Sequence, residues 1–347
     1  MISVKLQDID GYINAEQSTY VIITDMNLER LHLDELTSYL KGKNVSVLCY
    51  VVQAGESGKN LEVVKDIYSF LCEHRVDRRD CIVALGGGMI GDLAGFVSPT
   101  FLRGIRLIHI PILLLAQIDS SVGGKTAVNL LSLKNMVGAF YSPECVYINY
   151  RFLKTLPRVE ICNGLIESVV HAIIADPELF CYMEQNLKDI LELTEGKIDE
   201  LIWRNCSVKA SVVQSDEKEK GIRAILNFGH TMGHAIEGSC NYESKHGQCV
   251  ALGILGACFI SEELGFMKEE TTKRIKNLLM AIAPFADVRG QSWEQIYQFM
   301  VYDKKIKVEC IRYVLPKEIG TVFIHEIQDF SVIKRAYFRV LQEMARE

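Results

Sequence analysis

The sequence predicts an α/β protein, with a parallel-sheet domain over residues 1–156 followed by a mainly helical domain over residues 157–347. Three observations predict it. Strand-like apolar runs alternate with helical spacing up to about Leu156-Pro157, and beyond that point the hydrophobic period is mainly 3.6. At 347 residues the chain is long enough for roughly two domains.

The elements follow in order. Tyr20 to Thr24 and Val45 to Val51 are β-branched strand candidates, and Leu61, Val64, Ile67 and Leu71 mark a helix running to His74. Cys81 to Leu85 is a short buried-strand run ended by Gly86-Gly87-Gly88, and Arg106 to Ile110 is another, stopped by Pro111. In the second half, helical spacing runs through Gly164–Asn186, Ile198–Gln214, Phe228–Gly238, Val250–Leu264 and Thr271–Ile282. Only Ile311–Leu315 and Thr321–Phe323 read as extended there.

Composition narrows the function. The chain is 49% hydrophobic, 24% charged and carries a net charge of −6, so it can bury a core and lacks the basic surface that a nucleic-acid backbone needs. No apolar run is long enough to span a bilayer; the longest, Cys249 to Ile260, ends in Ser261-Glu262-Glu263 and reads as a core helix. Neither nucleic acid nor membrane is expected as a partner. The eleven cysteines are scattered without a CxxC pair, and the start has no basic, apolar leader. Both features fit reduced thiols in a soluble, cytoplasmic protein.

Three groups of residues carry chemistry. Gly86-x-Gly88-x-x-Gly91 follows a strand and opens a helix, the context in which backbone N–H groups can meet a pyrophosphate. The acid expected about 20 residues further on is missing, so ribose contacts must come from Asp25 or Glu56, and a ligand-free turn fits the motif equally. His230 and His234 lie at i and i+4 on one helix face, with His246 following and Glu167 inside an otherwise apolar helix. A buried carboxylate is costly without a cation beside it, and two imidazoles plus one carboxylate make a catalytic zinc set. The pair alone would also fit a hydrogen-bonded histidine couple. Lys125, Lys134, Lys209, Arg223, Lys304 and Lys305 stand out in an acidic chain. Singly each reads as a solvated charge; clustered at a metal they would clamp a phosphorylated anion. Gly123-Gly124-Lys125-Thr126 is not a P-loop, because Asp119 stands where the first glycine is required.

Taken together, Gly86 to Phe96, Arg103-Gly104, Asp119 to Asn129, Lys134-Asn135-x-x-Gly138, Lys209-Ala210, Asp216 to Arg223 and Leu226 to Glu237 resemble the 3-dehydroquinate synthase family. Asp303-Lys304-Lys305 and Leu315-Pro316 continue the resemblance. It implies a Rossmann-like first domain, a helical second domain, and an active site in the cleft between them holding NAD and zinc, or cobalt in its place. Zinc ligands would be Glu167, His230 and His246. NAD contacts would be Asp25, Glu56, Lys59, Gly87, Gly88, Asp92, Lys125, Lys134 and Thr155. Substrate contacts would be Asp119, Lys125, Asn135, Lys209, Arg223, Asn227, His234 and one of Lys304 and Lys305. His234 would handle protons. Arg103 would cross to a neighbour's phosphate site, which implies a homodimer.

The implied reaction is a lyase conversion of 3-deoxy-D-arabino-heptulosonate 7-phosphate to 3-dehydroquinate and phosphate. It proceeds by transient NAD oxidation, phosphate β-elimination, reduction, ring opening and aldol closure. Four positions depart from the family pattern. Val170 stands where a substrate-contacting lysine is usual, Ile112 and Leu113 replace two threonines near the cofactor, and Gln248 replaces a glutamate. A lost cationic contact costs about 1.5–3 kcal/mol. His171 is turned about 100° from Val170 on a helix and substitutes poorly. Two alternatives therefore stay open: a related sugar-phosphate cyclase with another substrate, and a non-catalytic NAD-binding relative.

Overall fold

A computed structural model describes residues 6–13, 18–131, 133–240, 244–282, 285–288, 290–302 and 310–345. The chain divides into two units, Met1–Pro157 and Arg158–Glu347.

In the first unit, β1 (Thr19–Asp25) leads through a short turn, α1 (Met26–Leu28), to α2 (Asp34–Lys41). Then come β2 (Ser46–Val52), α3 (Leu61–Glu73), β3 (Cys81–Gly86), α4 (Gly88–Thr100) and β4 (Arg106–Pro111). A hairpin, β5 (Lys125–Leu130) and β6 (Leu133–Phe140), precedes the short β7 (Cys145–Val146). Five strands form one parallel sheet in the order β2-β1-β3-β4-β7. Both faces are covered, which is why these strands read as continuous apolar runs. Val21, Ile23, Ile82 and Ala84 pack with Ile67 and Leu71 of α3 and Leu93 and Val97 of α4. Tyr20, Ile22, Val83 and Leu85 face the other way, toward Leu36 and Leu40 of α2.

Two features of this unit depart from the reading above. Pro111 does not precede the end of β4 but closes it, paired with Gly86. Proline is tolerated at this position because the N–H that bonds the Gly86 carbonyl comes from the next residue, Ile112, at 3.0 Å. The β5–β6 hairpin was not anticipated. Thr126 and Val128 of β5 are buried, whereas β6 is partly or fully exposed throughout, with Met136 and Phe140 half exposed, and the pairing is irregular between Val128 and Leu130.

The second unit is helical: α5 (Arg158–Ala175), α6 (Pro177–Leu191), α7 (Lys197–Ser215), α8 (His230–Ser239), α9 (His246–Glu263) and α10 (Glu269–Ile282). It continues with α11 (Trp293–Tyr302), an antiparallel pair β8 (Ile311–Glu318) and β9 (Thr321–Ile327), and α12 (Phe330–Met344). The single helix expected over 164–186 is two. Asp176 caps α6, its carboxylate accepting the Leu179 N–H at 2.9 Å, and Pro177 takes the first helical position, where its missing N–H costs nothing. Among the described residues no helix is long and apolar enough to cross a membrane.

The α8–α9 pair is the closest helix contact that the site depends on. A Cβ at Gly253 of α9 would fall 1.9 Å from the Gly229 carbonyl oxygen and 2.7 Å from the Gly233 nitrogen, so the two backbones touch. Both are main-chain atoms with no rotamer to yield. Gly253→Ala is expected to lower unfolding free energy by about 1–3 kcal/mol, measured by denaturant titration; unchanged stability would show that the helices can part without cost.

Candidate functional site

Three helices of the second unit bring the histidines and the carboxylate together. Gly229, in the left-handed region at φ 76°, turns the chain so that α8 begins on His230. His234 then follows one turn later and Glu237 two turns later on the same face. α9 begins on His246. Its first turn is docked on α5 by the Gly247 N–H donating to Asn163 Oδ1 at 2.5 Å. One turn further along α5, Glu167 is 4% exposed.

The geometry converges on one carboxylate oxygen. Glu167 Oε1 lies 3.3 Å from His230 Nε2 and 3.4 Å from His246 Nε2. The other nitrogen of each ring is already committed. His230 Nδ1 is 2.9 Å from the Phe228 carbonyl oxygen, and His246 Nδ1 is 3.0 Å from Glu237 Oε2. A carbonyl or carboxylate can only accept, so both Nδ1 atoms carry protons, and each ring is held with its Nε2 turned toward Glu167. Glu167 Oε1 is withdrawn from water, with these two imidazole nitrogens facing it. A buried carboxylate is costly unless positive charge meets it, and with the Nδ1 atoms committed the two Nε2 atoms and Glu167 Oε1 can serve one metal ion together, a His2Glu set that zinc takes. His234 adds a third imidazole: one ring nitrogen of each of His230, His234 and His246 lies within 4.8 Å of the others.

The electrostatics point the same way. Burial raises the Glu167 carboxyl, but the charge and hydrogen bonding of His230, with His246 beside it, hold it well below the usual value. For His246 partial burial opposes the charge, and hydrogen bonds to Glu167 and Glu237 push its pKa up to about 10. The surroundings thus favour positive charge at this point, whether a proton or a metal ion supplies it.

The anion-binding candidates in this unit are Lys209 on α7, almost fully buried, and Arg223 at 1% exposure. A tight loop delivers Arg223. The Asp216 carboxylate accepts N–H groups of Lys220, Gly221 and Arg223 at 2.9, 2.7 and 3.1 Å, which keep its pKa low, while Arg223 Nη1 donates to the Glu217 carbonyl at 2.5 Å. Asn227 is exposed and reaches Glu219 Oε1 at 3.4 Å. Val170 is fully buried on α5, and His171 is taken up in a hydrogen bond to Asn205. Lys304 and Lys305 lie outside the described residues.

In the first unit, several residues expected at a cofactor gather at the carboxyl edge of the sheet, the side where open α/β sheets bind ligands. Gly87 caps α4 and Gly88 opens it, after β3. A Cβ on Gly87 would fall 2.7 Å from Leu113 Cδ1, and one on Gly88 would fall 3.3 Å from Ser120 Oγ. The first-turn N–H groups of α4 lack helical partners, so the turn fits an anionic pyrophosphate. The Lys59 ammonium, almost fully buried, lies 2.6 Å from Asp92 Oδ2 and 3.5 Å from Glu56 Oε1. Asn129 joins them, donating to Glu56 at 3.0 Å and accepting from the Asn135 N–H at 2.9 Å. Asn135 holds φ 56° there.

The remaining candidates are placed individually. Asp25 ends β1 and caps α1 through the Asn27 and Leu28 N–H groups. Asp119 lies in the turn Ala116–Ser120, Lys125 opens β5, and Lys134 is exposed on β6. Thr155 lies 3.1 Å from His32 Nε2, beside a cavity of about 620 Å³ lined by His32 and Phe152. Arg103 is exposed, and it and Leu102 are consecutive left-handed residues at φ 66° and 50°. Sequence reasoning missed Glu237, Asn163 and Asn129. Only Glu237 carried a signal, its spacing of seven from His230.

Comparison with known proteins follows this geometry. A family model described as 3-dehydroquinate synthase N-terminal matches residues 49–163, and the corresponding C-terminal model matches residues 164–306. The chain is 46% identical to a 3-dehydroquinate synthase of Acetivibrio thermocellus, covering 91% of this chain and 88% of that one. It is 43% identical to that of Clostridium acetobutylicum over 92% of this chain and 89% of the relative. Among solved structures, a 2-deoxy-scyllo-inosose synthase complexed with carbaglucose-6-phosphate, NAD+ and Co2+ matches with TM-score 0.88 and 28% identity, covering 97% of this chain and 95% of that one. A 2-epi-5-epi-valiolone synthase of Streptomyces hygroscopicus, with NAD+ and Zn2+ bound, shares the fold at TM-score 0.91 and 23% identity, covering 99% and 96%.

The role assigned to Glu237 is testable. Glu237→Gln keeps the shape but removes the charge that orients His246, and zinc affinity is expected to fall about tenfold, read by competition with a chromophoric chelator. Unaltered affinity would show that His246 needs no such support.

Proposed function

The chain belongs to the 3-dehydroquinate synthase family, and on that premise we propose that it converts 3-deoxy-D-arabino-heptulosonate 7-phosphate to 3-dehydroquinate and phosphate. The observation that carries this reading is the donor set itself: a buried carboxylate oxygen within 3.4 Å of two imidazole nitrogens whose remaining protons are tied elsewhere. Glu167, His230 and His246 would hold a zinc or cobalt ion, which supplies Lewis acidity toward substrate oxygens when bound. Gly87, Gly88, Lys59, Glu56, Asp92 and Asp25 would hold NAD, which supplies reversible hydride acceptance.

The chain's own residues supply positioning and proton handling. Lys209 and Arg223 are cations withdrawn from water, where their pull on an anionic substrate is strongest. Asn227 and Asn135 offer neutral donors and acceptors for hydroxyl groups, and Asp119, Lys125 and Lys134 complete the polar set. A substrate fixed by several such contacts is presented in one orientation, so the carbon–hydrogen bond next to the oxidised carbon and the departing phosphate can be aligned. His234, one turn from His230 and in ring contact with it, would move a proton at its ring nitrogen. Arg103, on its strained exposed turn, is read as reaching the phosphate bound by a second copy, in a homodimer. The unpaired state of all eleven cysteines supports a cytoplasmic setting.

Val170 favours a second reading, a sister sugar-phosphate cyclase. Its fully buried side chain offers no charge one turn beyond Glu167.

The test is phosphate release from the heptulosonate phosphate by purified protein with NAD and zinc, against a chelated control. Chelator-sensitive release is expected. No release from a folded, zinc-binding protein would overturn this substrate assignment and favour the sister cyclase.

A further inference from the structure

α5 carries Glu167, and a buried polar knot lies immediately beside it that neither the metal nor the substrate set uses. Asn205 of α7 is 0% exposed, as is Ser168 of α5, and His171 of α5 is 1% exposed. Asn205 Nδ2 donates to the Leu201 carbonyl at 2.7 Å and to Ser168 Oγ at 2.8 Å. Its Oδ1 accepts the His171 Nδ1–H at 2.9 Å. The Leu201 carbonyl can only accept, so the orientation of the amide is settled and both of its amide protons are used. Ser168 Oγ passes the chain on to Met183 Sδ of α6 at 3.3 Å. One amide therefore ties α5, α6 and α7 together at a single level.

That level is the level of the site. Ser168 adjoins Glu167, and His171 follows Glu167 by one turn; Asn205 precedes Lys209 by one turn. On its other side α5 is held by Asn163, which docks the first turn of α9 and with it His246. The rotation of α5 about its own axis decides whether Glu167 Oε1 meets the two Nε2 atoms. Apolar packing is a poor control of such a rotation because it is non-directional, whereas three directional bonds in a water-free place fix it.

We propose that Asn205, acting through His171 and Ser168, is a positioning residue: it sets the rotation of α5 that places Glu167 at the metal point and the register of α7 that presents Lys209. The proposal rests on the functional reading above for the roles of Glu167 and Lys209. It adds that a position without contact to metal or substrate controls both. His171, which replaces nothing at position 170, has this task instead.

The experiment compares a double variant, Asn205→Leu with His171→Leu, and a single variant, His171→Asn. The double variant removes donor and acceptor together, so no buried polar group is orphaned by the His171–Asn205 pair and the fold can persist. The asparagine places an N–H close to where Nδ1 stood. Zinc affinity is read by chelator competition, and kcat and KM by phosphate release. The double variant is expected to keep its cooperative melt, bind zinc about tenfold more weakly, and show a raised KM. His171→Asn is expected to stay within about twofold of wild type on both counts. A folded double variant with wild-type zinc affinity and KM overturns the proposal, because a merely structural role would move the melting temperature alone. Should the double variant not fold, Ser168→Ala decides, since it removes one of the two bonds that Asn205 makes to α5: a severalfold loss of zinc affinity supports the proposal, and wild-type zinc affinity overturns it. Absence of phosphate release from the wild type would count against the functional reading, while the zinc comparison would still test the positioning role.

Discussion

One buried charge organises the second unit. Glu167 is withdrawn from water inside a helix that is otherwise apolar, and a carboxylate in such a place costs several kcal/mol unless positive charge or hydrogen bonds meet it. Here it is met by two imidazoles brought from two other helices, each with its far nitrogen already anchored. The arrangement is costly without a cation and favourable with one, which is the physical sense in which the fold specifies a metal. α8 and α9 must touch backbone to backbone for their histidines to reach Glu167, and the small residues Gly229, Gly233 and Gly253 at that crossing permit the approach.

The first unit solves a different problem with the same economy. Its sheet hides both faces, and the polar groups that remain gather where strands end and helices begin. The glycine turn before α4 keeps side chains away from the helix N-terminus. Lys59 is nearly buried between two carboxylates, so its charge is compensated while its position is held. In each unit a buried charge is thus met within the fold, Glu167 by two imidazoles and Lys59 by Asp92 and Glu56.

Much of this was legible in the sequence, for reasons that can be named. The parallel strands announce themselves because burial on both faces leaves unbroken apolar runs such as Cys81 to Leu85. His230, His234 and His246 are legible by spacing, and Glu167 by the cost of an acid among Val169, Ile173 and Ile174. The β5–β6 hairpin was not legible, since a largely exposed strand such as Leu133–Phe140 gives neither a clean period nor an apolar run. The break between α5 and α6 was written in Asp176-Pro177, but a helical period on both sides of it masked the cap. α12 was overlooked although Val332, Ile333, Ala336, Tyr337 and Val340 have helical spacing. Asn205 could not have been found. A neutral amide in an amphipathic helix looks the same whether it faces water or a buried imidazole, and only the packing tells them apart.

The central claim is that the metal is held by a carboxylate and two imidazoles, with the third imidazole left for chemistry. Anomalous diffraction at the zinc edge from zinc-loaded crystals tests it directly. The account predicts one peak about 2.0–2.2 Å from a Glu167 oxygen and from the Nε2 atoms of His230 and His246, with His234 outside the coordination shell. A peak bound by all three histidines with Glu167 turned away would contradict it.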